Sequence, residues 1–329
     1  MTACAGAFFL PSSEWIVSNQ LAGLLGATTL GFLVGLLDDV FEMNAWFKFV
    51  GQFACVNILF FSGVFIEISS LTSINYLFTS FWVIGIMNSI NMLDNMDGIT
   101  GTISSAIIVA TMIVMVLTGG SFGIYMLLMT GVLGALLGFL YYNWNPAKLY
   151  MGDTGSQFLG AFLAGISMLF LWNAAVVPTE GLIQWNKIAL PLVVFVLPII
   201  DTLTVTIRRI ARGQSPFVGG RDHTTHNLAV WGLKDYQVTL TFTIISLISV
   251  VLGALMVSFF SQAPALCLTG SVTYFAILFG GIQMVYKVNA EKRAAQPTTA
   301  LKPIKPAIEP IPIRVFNTVA RPAPMKKAK

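Results

Sequence analysis

Residues 76–98 read YLFTSFWVIGIMNSINMLDNMDG. The part from 76 to 93 is apolar over the length of helix that crosses a bilayer, which takes roughly 20 residues. Its end then sets Asn88, Asn91, Asp94, Asn95 and Asp97 within ten residues. The asparagines recur at intervals of three and four, which predicts that they share one helix face, and Asp94 and Asp97 continue that face. Hydrogen bonding between helices is the ordinary reason for an amide in a membrane span. Five oxygen-bearing side chains at one helix end exceed that need, and ionisable groups beside hydrocarbon point to a functional site.

The same signature recurs along the chain. Of its 329 residues, 56% are hydrophobic and 10% charged, and the mean hydropathy is +0.80. A soluble domain carries about 25% charged residues. Further apolar runs lie near 19–37, 46–66, 99–118, 122–142, 157–177, 187–208, 237–259 and 267–287. With 76–93 they predict an all-α fold, a polytopic membrane helical bundle of about nine full transmembrane helices. The first ten residues form an apolar stub too short to cross. Residues 1–287 are read as one membrane domain with no soluble insertion. Residues 288–329 are rich in Pro, Ala and Lys and are predicted to be a disordered basic tail. The start, MTACAGAFFLPSSEW, lacks the basic region and cleavage site of a signal peptide. Cys4, Cys55 and Cys267 are far apart and read as small apolar residues rather than disulfide partners or metal ligands. The net charge of +4 comes without a basic stripe interleaved with aromatics, which argues against nucleic acid as a partner.

Lysine and arginine set the orientation. If the 38–45 loop is inside, alternation places Lys48, Lys148, Arg208, Arg209, Arg212, Arg221, Lys234, Lys287, Lys292, Arg293 and the basic tail inside, and only Lys187 outside. The expectation is a multi-pass protein of the cell's inner (plasma) membrane with a cytoplasmic C-terminus. Asp38, Asp39, Glu42, Asp94, Asp97, Asp153, Asp201, Asp222 and Asp235 fall on the inner side, and Glu14, Glu67 and Glu180 on the outer side.

Three more inner constellations accompany the Asn/Asp cluster. Asp38 and Asp39 end the first long apolar run, followed by Lys48 and Gln52. Adjacent carboxylates can hold a divalent cation or act on a phosphate proton. A polar helix end at the interface is the bland alternative, and Lys48 alone reads as an interface anchor. Residues 143–156, NWNPAKLYMGDTGS, flank Asp153 with Gly152 and Gly155. Backbone amides ahead of the next span can cradle phosphate, and Tyr150 offers a ring for a base. Ordinary turn residues would look similar. Residues 215–226, SPFVGGRDHTTH, contain Arg221 and both histidines of the chain, His223 and His226. Zinc would want a further Cys or His nearby. Arginine with two histidines suits a diphosphate better.

These blocks, in this order, resemble the polyprenyl-phosphate N-acetylhexosamine-1-phosphate transferase superfamily, glycosyltransferase family 4, in its undecaprenyl-phosphate GlcNAc-1-phosphate transferase-like branch. The resemblance covers residues 19–287 and rests chiefly on NSINMLDNMDGIT and NPAKLYMGDTGS, supported by the LLDD motif with Lys48 and Gln52. It implies transfer of a sugar-1-phosphate, GlcNAc-1-phosphate in this branch, from a UDP-sugar to undecaprenyl (polyprenyl) phosphate, with release of UMP. That is a first membrane step of cell-envelope polysaccharide synthesis. It also implies a need for Mg²⁺ or Mn²⁺ and allows a homodimer. Carried over by position, Asp38 and Asp39 are the acidic pair near the acceptor phosphate, one of them a general base. Asp153 is the metal-binding aspartate, with Asn91 beside it. Asn91, Asp94 and Asp97 line the nucleotide site, and Lys48 belongs to the substrate site. Asn143 and Tyr150 contact uracil. Arg221, His223 and His226 contact diphosphate and sugar.

Two features depart from the family pattern. Thr225 stands where many relatives of the GlcNAc type carry a middle histidine. Relatives also begin with another span and a glycine-glycine loop, so the expectation is an N-terminally truncated chain. A secondary transporter, whose carboxylates would lie near the bilayer midplane, and a non-catalytic homologue are the competing readings.

Overall fold

A computed structural model of the protein describes residues 18–120, 123–174, 182–215 and 223–295. The N-terminal stub, Glu14, Glu180, Arg221, Asp222 and the chain from 296 onward lie outside the described residues. The described chain is helical, apart from an isolated antiparallel bridge between Ser69 and Ile183.

Among the described residues eleven helices follow in order: α1 Asn19–Phe41, α2 Ala45–Phe61, α3 Thr72–Leu93, α4 Ile99–Leu117, α5 Ile124–Asn143, α6 Gly152–Ser167, α7 Ala189–Val194, α8 Val196–Ala211, α9 Thr224–Trp231, α10 Asp235–Phe259 and α11 Pro264–Ala295. A π-helical turn, Met168–Trp172, extends α6, and a 3-10 turn, Trp185–Ile188, leads into α7. Among the described residues seven helices are long and apolar enough to cross a membrane, and an eighth crossing results if the bent pair Trp185–Val194 and Val196–Ala211 counts as one. The remaining predicted span is α2, an apolar helix of 17 residues that stops short of the expected residue 66.

The largest departure from expectation is the span read as continuous over 187–208. It is broken at Phe195, and its halves meet at 91°. Pro198 has no N–H for the carbonyl of Val194, four residues back, so the helical ladder is interrupted there. At the other end of the chain, α11 runs eight residues into the segment expected to be disordered. Residues Met1–Asn289 form one compact unit, and Ala290–Lys329 a second, of which only the end of α11 is described.

Local chemistry explains the ends that matter. The Ser18 hydroxyl accepts from the Leu21 N–H and starts α1. Glu42 stops α1 in the left-handed region, at φ 47°, and donates its N–H to the Asp38 carbonyl. The Asn44 side chain then caps α2 by accepting from the Trp46 N–H. The chain therefore reverses within three residues and leaves Asp38 and Asp39 at the turn.

Between membrane helices there is no hydrophobic driving force, since lipid is as apolar as leucine, so close packing through small residues carries the association. Helix α1 lies along α6 with Gly35 against the Asp153 backbone, where a Cβ would collide with the carbonyl oxygen. Leu24, Leu59, Met87, Ile90, Leu163 and Phe195 fill the centre. Trp82 packs edge-on to Trp172 and Phe195 and donates its indole N–H to the Ser167 hydroxyl at 2.8 Å.

Candidate active site

Six helix ends meet at the face of the bundle that carries Asp38. The last turn of α1 brings in Asp38 and Asp39, α2 contributes Lys48 and Gln52, and α3 ends in Asn88 and Asn91. Helix α6 begins with Asp153, while α8 and α9 supply Arg209 and His223.

The centre is an ionic cluster. The Lys48 ammonium lies 2.7 Å from Asp38 Oδ2 and 3.1 Å from Asp153 Oδ1. The Asn91 amide donates to Asp153 Oδ1 and to the Ser156 hydroxyl, while its oxygen faces Lys48 at 3.5 Å. Asp38 Oδ1 accepts from the Met43 N–H at 2.9 Å. Two carboxylates therefore share one cation. Beneath them lies an amide layer: Gln52 donates to Asn88 and to the Gln157 oxygen at 3.0 Å, and Asn88 donates back to Gln52 at 2.9 Å.

A cavity of about 730 Å³ opens beside this cluster. Lys48, Asn91, Asp94, Asn95, Arg209 and His223 line its polar part, and Phe53, Leu77 and Phe81 line its apolar part, with Leu77 and Phe81 two or more turns before Asn91 on α3. Phe81, Gly85 and Thr202 also line an adjoining apolar pocket of about 300 Å³, which runs on to Trp172 and the broken helix at Pro191 and Leu192. Just past the end of α3, burial pushes the Asp94 carboxyl up to about 6, with the Asp153 carboxylate adding repulsion.

The family model described as glycosyl transferase family 4 matches residues 21–171, which hold the Asp38, Asn91 and Asp153 blocks. A probable undecaprenyl-phosphate N-acetylglucosaminyl 1-phosphate transferase of Bacillus subtilis is 32% identical over 248 residues, 73% of this chain and 66% of the relative. The chain belongs to glycosyl transferase family 4. A phospho-N-acetylmuramoyl-pentapeptide-transferase of Streptococcus pyogenes is 31% identical over 52% of the chain and 56% of its own length. A decaprenyl-phosphate N-acetylglucosaminephosphotransferase of Mycolicibacterium smegmatis is 27% identical over 80% of the chain and 70% of its own length. The chain thus spans between about half and two thirds of the first two relatives.

In this family 4 chain, Asp38, Lys48, Asn91 and Asp153 converge as one cluster, with Asp94 and His223 on the same cavity. Four expectations need revision. Asp39 does not present a free carboxylate. Its oxygens accept from the Asp153 and Thr154 N–H groups, each at 2.9 Å, and from the Thr154 hydroxyl at 2.5 Å. It closes the N-terminus of α6, so those amides are engaged by protein and not open to a phosphate. Gly152 makes this approach possible: its φ is +67°, and a Cβ there would stand 3.0 Å from Asp39 Oδ2. Asp94 and Asp97 do not continue the helical face of Asn88 and Asn91, because α3 ends at Leu93 and residues 94–98 turn. Asp97 Oδ2 instead accepts from Asn145 at 3.2 Å and from the Ala147 N–H at 2.9 Å, which braces the next loop. Asn143 is buried, its oxygen accepting from the Gly98 N–H and its amide donating to the Leu149 carbonyl, so its side chain ties two turns together.

Tyr150 is 73% exposed, with an open ring. His226 sits one helical turn from His223, with ring centroids 6.4 Å apart. Arg221 lies outside the described residues. Sequence reasoning counted Arg209 and Asp201 only as inner charges. Arg209 is buried and lines the cavity. Asp201 is buried behind His223, its Oδ2 3.0 Å from Nδ1 of the ring. The available signal for Asp201 was a lone aspartate inside an apolar run.

Proposed function

We propose that the chain transfers N-acetylglucosamine 1-phosphate from its UDP-sugar to undecaprenyl phosphate and releases UMP. The observation that carries this reading is the shape of the cavity. A cluster of carboxylates, amides and cations sits at one end, and an apolar channel leads from it between α3 and the broken helix. That form suits an amphiphile with a phosphate head and an isoprenoid chain. The names of the relatives supply the substrate class.

In this reading an oxygen of the lipid phosphate attacks the β-phosphorus of the UDP-sugar. The bond from that phosphorus to the bridging oxygen breaks, and UMP leaves with the oxygen. A phosphate monoester has its second ionisation near 6, by analogy with a phosphorylated side chain. The acceptor therefore arrives largely as the dianion and needs little help from a base. The task of the site is to hold two phosphate groups in line and to offset their charge. Lys48 and Arg209 supply fixed positive charge in the cavity, and His223 lines it with a polar ring. Asp38 keeps Lys48 at the cluster rather than in solvent.

Among the described residues no three His, Cys, Asp or Glu side chains form a ready cage for a metal ion. Magnesium seldom needs one, since one or two carboxylates with substrate phosphates and water suffice. Asp153 and the Asn91 oxygen, with Asp38 adjacent, are hard oxygen donors of that kind. They are the residues we assign to Mg²⁺ or Mn²⁺, which when bound would neutralise diphosphate charge. The excess of Lys and Arg at the site end supports a cytoplasmic orientation in the plasma membrane, where UDP-sugars are available.

The test is a transfer assay on purified protein in detergent with Mg²⁺ and undecaprenyl phosphate. UDP-GlcNAc, UDP-GalNAc and UDP-MurNAc-pentapeptide are supplied in turn, and UMP and the lipid product are measured. Lipid-linked GlcNAc-1-phosphate from UDP-GlcNAc is expected. Failure to form any lipid-linked sugar phosphate overturns the reading, and a product from another donor alone changes the sugar.

A further inference from the structure

Asp201 sits three residues past Pro198 in the broken span, is 1% exposed, and is flanked by apolar residues in VLPIIDTLTV. A carboxylate in such a place is costly unless it is paired. Both of its oxygens are engaged by the histidine segment. Oδ2 lies 3.0 Å from His223 Nδ1, and Oδ1 accepts from the Thr224 N–H at 2.8 Å. Thr224 is the first residue of α9, so one carboxylate closes that helix and faces the ring that precedes it. An ionised carboxylate only accepts hydrogen bonds. The ring nitrogen facing it therefore carries the proton, and Nε2 is the nitrogen left for the cavity that His223 lines.

We propose that Asp201 is a positioning residue: it fixes His223 as the Nδ1–H tautomer and so presents Nε2 to the substrate as a hydrogen-bond acceptor, suited to a hydroxyl or N–H of the sugar nucleotide. The assignment of Nε2 to substrate rests on the transferase reading, whereas the Asp201–His223 pair rests on geometry alone. Asp201 touches neither the cavity nor a substrate and acts through the ring. Other contacts dock α9 independently of Asp201. The Thr225 hydroxyl donates to Asn95 Oδ1 at 2.5 Å, and Asn289 donates to the Asn227 carbonyl at 2.8 Å. Thr225, at the position read as a histidine in many relatives, thus ties α9 to the end of α3.

The chain has two histidines, so ¹⁵N-imidazole labelling in detergent gives two ring systems, and His226→Gln assigns them. In the wild-type protein the neutral His223 ring is expected to be protonated on Nδ1. Asp201→Asn should move that proton to Nε2. The Thr224 N–H keeps the amide oxygen, which leaves the amide NH₂ facing Nδ1, and Nδ1 must then accept. In the transfer assay Asp201→Asn should lower kcat by roughly 10²–10⁴-fold, as tautomer inversion does in other carboxylate-histidine pairs, while KM for the UDP-sugar changes much less. In a His223→Ala background, Asp201→Asn should add little further loss, because the two residues act as a unit.

A wild-type His223 protonated on Nε2, or the same tautomer in both proteins, overturns the proposal; the wild-type measurement decides even if Asp201→Asn does not fold. Full activity in a folded Asp201→Asn protein with an inverted tautomer also overturns it. Absence of transfer by the wild-type protein rejects the transferase reading and with it the substrate role of Nε2. The tautomer measurement still decides the pair.

Discussion

The two ends of the bundle hold similar polar residues and use them differently. At the end away from Asp38, side chains bind backbone. Asn75 accepts from the N–H groups of Ile68 and Ser69 and donates to the Ser69 carbonyl. Thr79 accepts from the Ile66 N–H, Asn173 accepts from the Glu67 N–H and donates to the Phe65 carbonyl, and Lys187 donates to the Glu67 carbonyl. Each closes a connecting segment whose peptide groups would otherwise lack partners. At the site end the side chains bind one another across helices: Lys48 with Asp38 and Asp153, Asn91 with Asp153, Gln52 with Asn88, Asp201 with His223. An asparagine is therefore no marker of function by itself. Its partner is more informative, and Asp39, Asp97 and Asn143 show that loop bracing also occurs at the site end.

The sharpest way to break this contrast is Asp153→Asn, which keeps size and removes charge at the centre of the cluster. Transfer should fall by roughly 10³-fold or more, in line with loss of a principal charge contact, with the detergent-solubilised protein still folded by its melting curve. Near-normal activity would take Asp153 out of the site.

Gly35→Ala should come next. The added methyl meets the Asp153 backbone, so α1 must move away from α6 and carry Asp38 with it. Stability should drop by about 1–3 kcal/mol, as overpacking generally does, and activity should fall more than the folded fraction. Gly134→Ala on the open face of α5, where a Cβ meets nothing within 4 Å, should leave both unchanged. Equal effects from the two substitutions would refute the close-approach argument.

A matched pair tests the ends directly. Asn75→Ala leaves two N–H groups without their acceptor and should lower stability by about 1–3 kcal/mol, with the rate per folded molecule intact. Asn91→Ala should do the reverse, with little change in melting but a large loss of transfer. If Asn75→Ala reduces the rate of the folded protein as much as Asn91→Ala does, the division between the ends fails.

The smallest effect concerns Asp94, whose carboxyl is raised to about 6 by burial. A raised folded-state value means that the folded protein holds this proton more tightly than the unfolded chain. The associated stability is present at low pH and is lost as pH rises through about 6. Asp94→Asn removes that loss. Melting in EDTA should therefore show the variant gaining stability relative to wild type between pH 5 and pH 7. A difference that stays flat across this range would argue against a buried, raised carboxyl.

Part of the site was legible because its blocks are compact in sequence. Asp38, Lys48, Asn91 and Asp153 stand in short motifs at the ends of apolar runs, and the structure places them within contact of one another. The helical reading of residues 88–97 held only to Leu93, since Asn95-Met96-Asp97-Gly98 is turn chemistry, with Gly98 at φ +75°. Gly152 does permit a close approach, but the approaching group is Asp39, more than 100 positions earlier, whereas Gly155 faces its own helix neighbour Met151. The break at Phe195 had a visible cause in Pro198, yet proline alone does not set an angle of 91°.

The sequence by itself determined the membrane helices, the gathering of acids, amides and histidines at span ends, and the family. These depend on local composition and on short motifs, which survive without knowledge of neighbours. Tertiary structure decided which of those polar groups face a cavity and which are tied to peptide groups. Asp38 and Asp39 are adjacent in sequence and identical in type, yet one holds Lys48 and the other closes α6. Their different partners come from how α1, α2 and α6 pack, and no local pattern carries that information.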